Sequence, residues 1–347
     1  MKKLYCFILG LCCAACGAQE EPTGAAPILD GAQVRTEVVA ALNEWGIQEP
    51  GGLWKAGSMC VIADRMNVEN LYRVDLENQQ REGLYPRVRT RGGKPTLLGS
   101  LTSNGKGGWT VFNFNTGELK QQGRMTRSGE ENTVNLPTTE KALWAVQAGE
   151  YVLSTGLYTQ GRYQLYSPTK EEARYFIDYP EHPTYKELKP LTQAVLYASA
   201  VLRVRPDGKA FVCGDMYSGV LDVCRIDEGE ISLVKRLIYH YPYVKIRENR
   251  ACPSVVYKQE NQFGFTDICV TDEGIYALYS GRTYRMGAET FQHCNTLIEL
   301  DWNGEVRNNY SIDAALTQIA YDEQENAFYG IEGGSEAKLL RLKIEKK

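Results

Sequence analysis

Phe263-Gly-Phe-Thr-Asp-Ile-Cys-Val270 leads into a turn at Asp272-Glu273-Gly274, continues as Ile275-Tyr-Ala-Leu-Tyr-Ser-Gly281, and resumes after an insertion as Asn295-Thr-Leu-Ile-Glu-Leu-Asp-Trp-Asn-Gly-Glu-Val306. Apolar and polar residues alternate in short runs, and Gly or an acidic residue with Gly punctuates them. That is the period-2 signature of antiparallel strands joined by tight turns, so Phe263 to Val306 reads as one four-stranded sheet.

The same sheet recurs. An apolar-x-apolar run ending in Asp or Asn, then a turn closing on Gly-Glu-apolar, appears as Phe112-Asn-Phe-Asn-Thr-Gly117-Glu118-Leu119, as Cys224-Arg-Ile-Asp-Glu-Gly229-Glu230-Ile231, and as Ile298 to Val306. Weaker copies occupy Tyr72 to Asn78 and Tyr163 to Thr169, and the chain ends on a bare strand, Leu340-Arg-Leu-Lys-Ile344. Further strand pairs precede the hairpins, as in Val201 to Val212 or Thr317 to Gly330. Six units, each of four short strands and roughly 40 to 50 residues, predict an all-β six-bladed β-propeller. A β-sandwich is the alternative, but the strand count exceeds what one sandwich uses. A closed ring also absorbs 347 residues without a linker, and 22 tyrosines favour strands.

Residues 1–16 fall outside the fold. Met1-Lys2-Lys3 is a positive n-region and Leu4 to Leu11 a short apolar core, followed by Cys12-Cys13-Ala14-Ala15-Cys16-Gly17. Small residues before a Cys resemble a bacterial lipobox, with Cys13 where Leu is usual, and imply cleavage ahead of Cys16 and lipidation of its sulfur. An ordinary secretory peptide cut slightly later is the alternative; the apolar run is too short to span a bilayer. Residues 17–30 form a tether that begins Gly17-Ala-Gln-Glu20-Glu21-Pro22, leaving residues 31–347 for the propeller. Gln33 to Leu42 fits either a helical face or a strand; the strand is preferred, because the last blade lacks one strand and a ring closes best when chain ends share a sheet.

Without Lys2 and Lys3 the chain carries 37 Lys and Arg against 43 acids, a balance that disfavours a nucleic-acid surface or an anionic bilayer. The mature chain holds Cys60, Cys213, Cys224, Cys252, Cys269 and Cys294. No pair has zinc spacing, so no metal is expected. Because the hairpin between Cys213 and Cys224 turns at Tyr217 to Val220, the two are expected nearly opposite each other and able to form a disulfide.

One dense basic run, Arg87-Val-Arg-Thr-Arg91-Gly92-Gly93-Lys94-Pro95, separates the first two blades. Together with the lipobox, the acidic tether, Thr271 to Arg282 and the Gly-Glu hairpins, it makes the chain resemble the TolB-like six-bladed propeller lipoproteins of Bacteroidetes over essentially all of its mature length. Relatives often carry Gly-x-Gly-Pro followed by Glu at this junction; here Thr96 follows Pro95, so any role of that acid is in doubt. The resemblance implies a fold and an envelope address, periplasmic or surface-exposed, more firmly than an activity.

Propellers bind at the mouth of the central channel. Asp64 and Arg65 follow the strand Met59 to Ala63, Asp215 follows Phe211 to Cys213, and Arg282 and Arg285 follow Tyr276 to Tyr279. These ends of equivalent strands are the candidate binding residues, with Arg65, Arg282 and Arg285 as a cationic rim for carboxylate or phosphate; solvated turns are the simpler account of each one. Ser103-Asn-Gly-Lys-Gly-Gly-Trp109 resembles a sialidase Asp-box, but Gly105 replaces the Asp and the motif occurs once. A Gly-x-Ser-x-Gly elbow is absent, and His182, His240 and His293 have no evident catalytic partner. The sequence therefore points to binding of a partner protein or a small or saccharide ligand, with no catalytic residue and no cofactor; a sialidase-like glycan-active enzyme is the competing class.

Overall fold

A computed structural model describes residues 31–64, 70–84, 98–104, 107–122, 132–137, 139–248, 253–287, 290 and 292–344. The signal segment, Cys16, the tether, the basic run at 87–95, Arg65 and Cys252 lie outside these residues.

Six radial sheets follow one another around a ring. Blade 1 is Pro50–Ala56, Met59–Asp64, Asn70–Asp75 and Gln80–Gly83. Blade 2 is Leu98–Ser103, Trp109–Asn113, Glu118–Gln122 and Asn132–Asn135, and blade 3 is Lys141–Ala148, Tyr151–Leu157, Tyr163–Ser167 and Glu172–Phe176. Ala200–Val204, Ala210–Asp215, Val220–Asp227 and Glu230–Ile238 make blade 4. Blade 5 takes Phe265–Val270, Ile275–Tyr279, Cys294–Leu300 and the first part of the 17-residue strand Val306–Asp322, whose second part opens blade 6.

Blade 6 continues with Ala327–Glu332 and Lys338–Lys343, and its outermost strand comes from the other end of the chain. Ala32–Ala41 pairs antiparallel with Lys338–Lys343, Thr36 opposite Leu342 and Val38 opposite Leu340. Ala32 to Val34 also run parallel to Tyr310 to Ile312 of the blade 5 outer strand. The strand reading of Gln33 to Leu42 therefore holds, and the ring closes through it. Val34 and Leu42, both buried, anchor its two ends in the apolar layers beside blades 5 and 1.

The Gly-Glu hairpins have one physical cause. Gly117, Gly229 and Gly304 all sit at φ between 77° and 81°, where a Cβ is penalised. In the weaker copies the residue just before the outer strand is Gln79 or Glu171, held left-handed at φ 50° and 53°, so the backbone motif persists where its Gly does not. Blade 2 departs from the pattern: Phe112 to Leu119 joins its second and third strands, whereas the other copies join the third and fourth.

The expected Cys213–Cys224 disulfide is not present. Cys213 faces Asp222 across the ladder and Cys224 faces Phe211, so the thiols are diagonal neighbours, a spacing of about 7–8 Å between Cα atoms that exceeds disulfide reach. Both are free and buried, as are Cys60, Cys269 and Cys294, and burial raises the Cys213 thiol to about 12.

Candidate functional site

Antiparallel order gives each ring face a character. Turns between first and second strands lie on one face, here the turn face; loops after second strands and the links between blades lie on the other, the cap face. Asp64 and Asp215 end second strands, and Arg282 and Arg285 follow one, so these four lie toward the cap face.

Their surroundings differ. Asp64 is buried and accepts the amide N–H groups of Gln48 and Glu49 at 3.2 and 3.1 Å, fixing the entry into blade 1. Arg282 is half-buried and donates to Asn295 Oδ1 at 3.1 Å. Arg285 is exposed and pairs with Glu260. Asp215 is only 2 % exposed and bonds the guanidinium of Arg162 and the Ser218 hydroxyl, so it is not a solvated mouth group.

Two long blade links cover that part of the face. Residues 177–199, with the short helix Pro190–Leu196, follow blade 3; residues 239–264, with the hairpin Val244–Glu248 and Pro253–Tyr257, follow blade 4. Tyr179, Leu196 and Tyr197 of the first pack with Val244 and Tyr257 of the second, against Val220 of blade 4. His182 ties them together: its Nδ1 accepts the N–H groups of Thr184 and Tyr185, leaving Nε2 to donate to the Pro242 carbonyl at 3.0 Å. Burial lowers the His182 pKa, which favours this neutral arrangement.

Beneath the cap lies a charge cluster that the sequence reading missed. Arg162 is wholly buried between Asp215 and Asp222. Arg236 forks onto Asp222 at 2.7 and 2.8 Å, and Tyr163 donates to the same carboxylate at 2.7 Å. Burial raises Asp215 to about 7, against the pull of Arg162. For Asp222 burial pushes the same way, but two arginines and the tyrosine outweigh it and the pKa falls. One signal was available: an acid in the apolar run Val220-Leu-Asp222-Val-Cys224 needs a buried partner.

The turn face holds a cavity. The inner strands of all six blades end around it, with Lys55, Asn104, Gln147, Arg205, Asp322 and Gln324 in its wall, and it encloses about 150 Å³. The Asp-box-like segment supplies the blade 2 turn here, where Asn104 Oδ1 accepts the Gly108 N–H at 2.9 Å. Two ion pairs stitch the wall: Lys55 to Asp322 at 2.9 Å joins blades 1 and 6, and Arg203 to Asp267 at 2.6 Å joins blades 4 and 5. Arg205 forks onto Asp207 at 2.8 and 2.7 Å with its guanidinium 5.5 Å from the Trp302 ring centre. Gly208 sits at φ 76° where a Cβ would come within 2.8 Å of the Gly149 amide, so neighbouring turns touch backbone to backbone. Among the described residues no group of three or more His, Cys, Asp or Glu could hold a metal.

Residues 112–324, more than half of the chain, match the family model described as TolB-like 6-blade propeller-like. The chain belongs to the TolB-like six-bladed propeller family. Solved structures similar to this TolB-like propeller include a protein of unknown function from Bacteroides thetaiotaomicron, 12 % identical, with a TM-score of 0.54 over 94 % of this chain and 75 % of that one. An auxiliary nutrient binding protein from the same organism is 10 % identical, with a TM-score of 0.51 over 86 % of this chain and 70 % of that one. An exported protein from Bacteroides fragilis, 10 % identical, gives 0.50 over 94 % and 95 %. These likenesses are of fold. No curated protein matches, and no helix among the described residues is long and apolar enough to cross a membrane.

Proposed function

We propose that this TolB-like propeller is a lipoprotein, anchored to the outer membrane through Cys16, that binds a small polar ligand at the turn-face cavity. The observation that carries the reading is convergence: six inner strands end around one cavity whose ion pairs are internal to the wall. Lys55 is held by Asp322 and Glu325, Arg203 by Asp267 and Arg205 by Asp207, so the cations of the wall are paired and side-chain amides such as Asn104, Gln147 and Gln324 line it, a lining suited to hydroxyl-rich or amide-bearing ligands such as saccharides. The fold it shares with an auxiliary nutrient binding protein supports binding as the function class, and the small-residue run before Cys16 supports the anchor.

Titrating the purified chain against a glycan and metabolite panel by calorimetry tests the reading. Saturable binding that Gln147→Ala weakens about tenfold, the scale of a lost hydrogen bond to a ligand, is expected, with no product formed on prolonged incubation. Glycan turnover abolished by replacing one carboxylate would assign the protein to the glycan-active class instead.

A further inference from the structure

Under the cap, away from the turn-face cavity, two buried side chains hold donors without partners among the described residues. Arg162 Nε and the Tyr197 hydroxyl make no hydrogen bond; Arg162 Nη1, 3.1 Å from Asp222 Oδ2, is not aligned for one. Arg162 is wholly buried and Tyr197 is 3 % exposed. They are neighbours, with the guanidinium carbon 5.7 Å from the Tyr197 ring centre. A buried donor left unpaired forfeits the hydrogen bond it made to water in the unfolded chain, so this region of the interior calls for an acceptor.

The carboxylates nearby are already used. Asp222 serves Arg236 and Tyr163, and Asp215 serves Arg162 Nη2 and Ser218. We propose that a small monovalent anion, of the size of chloride or formate, binds under the cap between Arg162 Nε and the Tyr197 hydroxyl. Charge balance sets its dependence on protons. With both acids ionised, two arginines face two carboxylates and an added anion is opposed; with Asp215 protonated the cluster carries one excess positive charge. Other groups facing Asp215 are Cys213 from its own strand, Tyr179, Tyr197 and Tyr257 from the cap, and Arg236 from the outer strand of blade 4. Burial keeps the thiol and the three phenols neutral, so Asp215 is the proton-binding partner of the anion. Uptake then brings one proton, and an anion bonded to Tyr197 fastens the first cap segment to Arg162 at the edge of blade 3.

The test compares melting of the full chain in chloride and in gluconate at constant ionic strength, at about pH 6 and about pH 8. Chloride is expected to raise the melting temperature at the lower pH and hardly at the higher one. Tyr197→Phe should raise the apparent chloride dissociation constant about tenfold, and Asp215→Asn, which leaves position 215 uncharged and the cluster with one excess positive charge at either pH, should extend the chloride response to the higher pH. Crystals soaked in bromide should show an anomalous peak within hydrogen-bond distance of Arg162 Nε. Equal melting in both salts at the lower pH, or water in place of bromide at Arg162, overturns the proposal. A chloride response that neither variant alters also overturns it.

Discussion

Asp215 and Asp222 touch the same guanidinium, yet the protein treats them differently, and the reason is how many cations each one faces. Asp222 has Arg162, Arg236 and the Tyr163 hydroxyl; Asp215 has Arg162 and a serine. Burial raises both, and only Asp222 has enough positive charge to reverse it. Asp222→Asn leaves the buried Arg162 and the half-buried Arg236 short of a counter-charge and should cost about 3–5 kcal/mol. Asp215→Asn should cost less than Asp222→Asn near neutral pH, since burial raises that carboxyl toward its neutral form. The sign with pH follows. Between about pH 4, the unfolded value, and about pH 7, folded Asp215 keeps a proton that the unfolded chain has released, so its contribution falls as pH rises and is level above pH 7. His182 and His240, lowered by burial, act in the opposite sense over the acid part of that window. The diagnostic is therefore the difference in denaturant stability between the parent and Asp215→Asn, which should decline from about pH 4 to 7. A flat difference means Asp215 is ionised throughout.

At the scale of elements, the ring depends on a strand contributed from the far end of the chain. Removing residues 31–42 strips the outer partner from Lys338–Lys343 and exposes the pockets of Val34 and Leu42. That deletion should cost more than about 3 kcal/mol, comparable with losing one large core side chain or more, whereas removing 17–28 should change stability by less than about 0.5 kcal/mol. Chemical denaturation of both truncations checks it; similar midpoints would mean the last blade stands without the strand. This closure was legible because a bare terminal strand demands a partner. The turns were legible through Gly117, Gly229 and Gly304, since left-handed backbone selects glycine, and were dim at Gln79 and Glu171, where the same conformation is imposed by the fold on residues that disfavour it. The cap was not legible in the sequence, because its packing joins segments from two different blade links. The Cys213 to Cys224 pairing failed on register: a two-residue offset across one ladder is set by the turn, and the spacing of the cysteines does not reveal it.

For the whole molecule, the decisive asymmetry is between the two faces. The sequence marked strand ends that do share a face, but that face carries the cap over blades 3 and 4 and has Asp215 buried under it. The cavity instead opens among first turns and the strand ends beside them, with Asn104, Gln147, the Arg205-Pro-Asp-Gly208 turn and Gln324 in its wall. The outer strand of blade 6 begins at Ala32 on this same turn face, beside Tyr310 at the start of the blade 5 outer strand, so the tether joins the ring on the cavity side. If Cys16 is lipidated as proposed, the fourteen residues 17–30 would span at most about 50 Å when extended, which would leave a small ligand room to reach a cavity turned toward the bilayer, while a bulky partner would meet the cap face first. The two faces therefore make separable predictions for one pair of variants. If the ligand is small and polar, Arg205→Ala removes a forked guanidinium from the cavity wall and should weaken capture by about 1–3 kcal/mol, while Arg282→Ala, bonded to Asn295 on the opposite face, should leave it unchanged. If the captured species is an acidic protein segment engaging the arginines beside the cap, the order reverses, and salt should weaken capture steeply because Arg285 is exposed and screened. Calorimetric titration of both variants, each with a melting curve to show an intact ring, separates the cases; equal weakening by the two would show that neither face alone holds the ligand.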